Sequence, residues 1–69
     1  MINELDTVAL LVDRPDLNLR KGEMGTVVDV LGDREVFQVE FVDDEGFTYG
    51  LATFAASDLL KLHHRARAA

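Results

Sequence analysis

Short stretches of alternating apolar and polar residues run through this chain, and their spacing predicts strands. Residues 6–12, DTVALLV, read as a first strand, with Val8, Leu10 and Val12 on one face and Thr7, Ala9 and Leu11 on the other. Asp13-Arg14-Pro15-Asp16 stops it, because Pro15 presets φ for the second position of a turn. A long loop follows, in which Leu19 is expected to plug one end of the core. The turn Arg20-Lys21-Gly22-Glu23 then uses Gly22 for positive φ, and Gly25 permits a bulge or close backbone approach.

The next strand, Thr26-Val27-Val28-Asp29-Val30, is expected to turn Asp29 to water, which puts Thr26, Val28 and Val30 inward and leaves Val27 and Leu31 outward. After the polar turn Gly32-Asp33-Arg34-Glu35, Phe37, Val39 and Phe41 alternate with Gln38 and Glu40. Asp43-Asp44-Glu45-Gly46 predicts a three-residue hairpin loop with Gly46 at the left-handed position and Asp43 opposite Phe47. Counting back pairs Phe41 with Tyr49, Val39 with Leu51 and Phe37 with Thr53, so the large side chains share an inner face. Glu40 then opposes Gly50, and Gln38 opposes Ala52, on a shallow outer face. Residues 54–58 lead through one 3-10 turn, where Ser57 or Asp58 can accept from backbone amides, into a last strand over 59–62.

Five short strands, one long early loop, a tight central hairpin and a single turn before the last strand describe an all-β SH3-like barrel over residues 1–62, followed by a disordered basic tail over 63–69. The length of 69 residues limits the chain to one small domain. Cysteine is absent, so packing alone must hold the core. No run approaches the ~18 apolar residues of a membrane span, and residues 1–4 do not begin a leader, which predicts a soluble cytoplasmic protein.

Charge is distributed unevenly. The net charge is -6, yet all 13 acidic residues lie in residues 1–60, where Arg14, Arg20, Lys21 and Arg34 are the only basic ones, so that body carries -9. Lys61, Arg65 and Arg67 gather near the end with His63 and His64. Such a body repels phosphate backbones within the screening length.

Four segments carry a family resemblance: Asp6-Thr7-Val8-Ala9-Leu10, residues 19–28 (LRKGEMGTVV), Val39-Glu40-Phe41-Val42-Asp43 and Ser57-Asp58-Leu59. Together they resemble an uncharacterised bacterial family of small SH3-like proteins, grouped as a domain of unknown function. The resemblance implies the barrel and no activity, and the tail after Leu62 is an addition to the family's pattern. More distantly, residues 21–28 are similar to the glycine turn and strand of KOW-type modules of ribosomal and transcription proteins. That likeness is one of turn geometry and transmits no function.

Candidate chemistry is thin. Gly22 and Gly25 are followed by a β-former rather than the helix and Lys-Ser or Lys-Thr pair of a phosphate loop. Ser57, Asp58 and His63 are triad residue types, but they are crowded into one terminal segment, and a capped turn with an exposed histidine is the far better explanation. Asp43, Asp44 and Glu45 lack the alternating spacing of a calcium loop, and His63-His64 is an ordinary exposed pair. We therefore expect no enzyme, no metal and no cofactor. Polyproline recognition needs an aromatic groove, and the chain has no Trp and one Tyr, which the predicted register buries.

Two functions fit. The first is an acidic protein-binding module, an accessory subunit or an antitoxin-like or immunity-like partner of a basic protein, with Glu40, Asp43, Asp44, Glu45 and Gly50 as contacts. The second is a KOW-like nucleic-acid or ribosome-associated barrel touching phosphate through Arg20, Lys21 and the tail. Leu11, Val27 and Leu31, expected on the outer side, mark a homodimer surface.

Overall fold

The computed structural model describes residues 1–63; the predicted tail, apart from His63, lies outside the described residues. Five antiparallel strands form one sheet: β1 (Thr7–Leu10), β2 (Met24–Leu31), β3 (Val36–Val42), β4 (Thr48–Ala55) and β5 (Leu59–Lys61). Their order is β4-β3-β2-β1-β5. Among the described residues no pairing joins β4 to β5, so the sheet is open. The chain is all-β, with 3-10 turns at Pro15–Leu17 and Ala56–Asp58 and no α-helix among the described residues.

The core consists of Val8, Leu10, Leu19, Val27, Phe37, Val39, Phe41, Phe54 and Leu59. Leu19 plugs one end as expected, held by a small antiparallel bridge to Arg14 around the turn Pro15–Leu17, with Asn18 in the left-handed conformation. Phe41 and Phe54 pack edge-on, 6.0 Å between ring centroids. The other end is closed by the N-terminal segment. Ile2 packs against the core, Arg34 donates to the Ile2 carbonyl at 2.7 Å and to the Asn3 side chain, and Lys61 donates to the Met1 carbonyl at 3.0 Å.

Two bulges correct the predicted side-chain directions. In β2, Val27 pairs with Val39 and Asp29 with Gln38, leaving Val28 as the extra residue. Val27 is therefore fully buried instead of outward, while Thr26 and Val28 are half-buried. Strict alternation cannot bury both Val27 and Val30 while leaving Asp29 in water; one extra residue between them does. Val30 packs against the core and Leu31 is exposed, as expected.

In the β3–β4 hairpin the predicted loop is present: Asp43 N donates to Phe47 O at 2.9 Å, Gly46 N donates to Asp43 O at 3.0 Å, and Gly46 has φ +87°. The register beyond it differs, because β4 carries a bulge where Tyr49 has no partner of its own. Phe41 pairs with Gly50, Val39 with Ala52 and Phe37 with Phe54. Tyr49, Leu51 and Thr53 are thereby exposed, contrary to expectation. Burial of Phe54 drives the shift, and Gly50 and Ala52 leave room for the bulky side chains facing them. A Cβ on Gly50 would stand 3.4 Å from Phe41 and 3.5 Å from Leu19. The turn before β5 is closed by backbone, Leu59 N to Ala56 O, with no side-chain cap from Ser57 or Asp58.

Candidate interaction surface

The β3–β4 hairpin projects its acidic tip beyond the core. Asp43 organises it, since its Oδ1 accepts the amides of Glu45 at 2.9 Å and Phe47 at 3.0 Å. With that carboxylate committed to the turn, Asp44 and Glu45 remain as exposed acids beside it. Next to them Phe47 is 67% exposed, an aromatic ring that the core does not use. Glu40, one strand in, accepts from the Thr48 hydroxyl at 3.0 Å and stands across from Leu51, which is also exposed. Among the described residues the ion pairs are Arg14–Asp16 and Lys61–Asp6, so no cation pairs with Glu40, Asp43, Asp44 or Glu45.

Gly50 does not share this surface. It faces Phe41 and Leu19 across the register, on the opposite side of the sheet from Glu40, which corrects the expected Glu40–Gly50 pairing. The residues that sequence reading missed are Phe47, Tyr49 and Leu51. Phe54 was the available signal: once it is assigned to the core, parity along β4 forces either Tyr49 and Leu51 outward or a bulge.

Tyr49 reaches from the hairpin to the loop preceding β2, donating its hydroxyl to Glu23 at 2.9 Å, with its ring 6.2 Å from that of Phe41. Desolvation, and then the adjacent Glu23 carboxylate, raise its pKa above the ordinary phenol value. The Arg20 and Lys21 amides donate to the carboxylates of Glu23 and Asp13 respectively, so acids sit directly against this turn.

The three expected self-association residues are not brought together. Ala9 pairs with Met24, which puts Leu11 beyond one end of β2, whereas Leu31 closes its other end and Val27 is in the core between them. A different exposed apolar row crosses the outer face, where Leu60 and Met24 flank Ala9 and Val42 borders the same shallow hollow as Met24. Ser57 lies before β5 and His63 beyond its far end, so the strand separates them. Among the described residues no three potential ligands gather for a metal ion, and no helix is long and apolar enough to cross a membrane.

Comparison with known proteins returned one family. Residues 4–61 match the family model described as Domain of unknown function (DUF4926). No curated protein and no solved structure matches the chain.

Proposed function

We propose, for a chain that belongs to this domain-of-unknown-function family, a non-catalytic role as an acidic protein-interaction module that covers a basic surface of another protein. One observation carries the reading: exposed Phe47 stands among the carboxylates of Asp43, Asp44 and Glu45, which no described cation neutralises. Such a combination suits a basic partner, because the acids speed encounter and attract Lys or Arg while an apolar ring supplies contact area. Glu40 and Leu51 lie on the other face of the same hairpin, since Val42 pairs with Thr48 on their side and Asp43 opposes Phe47 on the next. The expected setting is the bacterial cytoplasm, with the module serving as an accessory subunit or as an antitoxin-like or immunity-like partner.

Under the same reading the open sheet is an SH3-like barrel. Its strand order, the long loop between β1 and β2, and the 3-10 turn immediately before β5 support that description. The KOW-like alternative is less well supported, since Asp13 and Glu23 bring negative charge against the Arg20-Lys21 turn that would have to meet phosphate.

The test compares the native chain with a variant carrying Asp44→Asn, Glu45→Gln and Phe47→Ser as baits for proteins of the native host, eluted with a salt gradient. A basic protein retained by the native chain, released at moderate salt and lost from the variant is the expected result. Equal retention by both baits, or retention indifferent to salt, contradicts the assignment. RNA or DNA binding by the purified chain at low salt favours the KOW-like alternative.

A further inference from the structure

The two free edges of the sheet are not alike. The β5 edge is three residues long and includes Lys61, whose ammonium is held by Asp6 at 3.1 Å. The β4 edge runs for eight residues, TYGLATFA, without a charge or a proline. Alternate residues of an edge strand turn their N–H and C=O groups away from the sheet, and proteins ordinarily guard such a row with charges, proline or a covering segment. Here β3 is the one strand beside β4, and among the described residues no loop donates a backbone hydrogen bond to Thr48–Ala55 or accepts one from it. The bulge at Tyr49 twists one end of the edge, leaving Gly50 to Ala55 as regular strand.

We infer that β4 is the seam of a symmetric dimer, in which two copies of this chain pair their β4 edges antiparallel into one continuous sheet. Three observations select a second copy as the occupant. Among its described residues every copy carries one long unguarded edge, so pairing about a two-fold axis uses it up and closes the assembly. The strand itself brings no charge to the seam although the chain carries -6. Antiparallel pairing also arranges the remaining charges favourably. The acidic tips at Asp43–Glu45 lie at opposite ends of a seam that is roughly 20 Å long over the regular stretch Gly50 to Ala55, beyond the screening length of about 8 Å.

A seam one strand deep is smaller than the roughly 1,600 Å² of a standard interface, so a reversible association is expected, to be sought from about ten micromolar to about a millimolar. Sedimentation equilibrium across that range, together with amide exchange at low and high protein concentration, tests it. The expected results are reversible dimerisation and exchange protection that spreads from alternate to consecutive amides of β4 as the dimer fills. Leu51→Lys and Thr53→Lys, both at exposed positions, should weaken association at least tenfold with an unchanged circular dichroism spectrum, whereas Leu31→Lys should not. A monomer up to about a millimolar overturns the inference. So does a dimer that the two β4 lysines leave intact, or one in which β4 protection stays alternate; the last readout needs no variant and stands even if a substitution unfolds the chain.

Discussion

At the scale of single residues, the two glycines that face the core behave differently. A Cβ on Gly25 would lie 2.6 Å from Val39 Cγ1 and 2.8 Å from the Glu40 carbonyl oxygen, and the latter belongs to a paired strand that cannot step aside. Gly25→Ala should cost about 1–3 kcal/mol in urea unfolding, and Gly50→Ala, whose Cβ meets ordinary contacts, about 1 kcal/mol or less. Asp6 offers a test in pH. The Asn3 amide at 2.7 Å, and then the Lys61 ammonium, hold its carboxyl below the ordinary aspartate value. A depressed folded pKa gives stability that is present above the unfolded value and lost as pH falls through the folded one. Asp6→Asn should therefore unfold at a lower temperature than the native chain at pH 7, and the gap should close as the pH drops below about 4. Arg14 lowers Asp16 in the same way, so some acid sensitivity survives in that variant.

At the scale of elements, legibility ended at the bulges. The strands, the left-handed Gly46, the Leu19 plug and the inward Phe37, Val39 and Phe41 follow from local pattern and turn chemistry, which neighbouring residues encode. Val28 and Tyr49 are different, because an extra residue carries no local mark and is favoured only through burial elsewhere, of Val27 in one case and Phe54 in the other. Each reverses the facing of the strand residues beyond it. The predicted contact set suffered directly: Gly50 moved to the inner side, Val27 into the core, Phe47 emerged beside the acids of the tip, and Leu51 emerged beside Glu40 on the opposite face. A paired substitution checks the β2 correction. Val27→Lys buries an unpaired charge and should cost more than about 3 kcal/mol, while Leu31→Lys at an exposed site should stay within about 0.5–1 kcal/mol. Equal effects in thermal unfolding would mean that the bulge is misplaced.

For the whole molecule, composition foretold the acidic surface but not where its apolar contacts lie, and it carried no trace of the N-terminal closure by Ile2, Arg34 and Lys61, whose parts are scattered along the chain. The strand order has a kinetic consequence. Strands β2, β3 and β4 are a meander joined by short turns, whereas β1 must fetch β5 from the far end of the sequence, as in the pairing of Val8 with Lys61. Loop-closure entropy makes the meander the natural nucleus and the docking of the chain ends a late event. Phe41→Leu should then mainly slow refolding, and Leu59→Ala should mainly speed unfolding, in stopped-flow measurements. On this order the β1–β5 pair is expected to be the last part of the sheet to form and the first to let go.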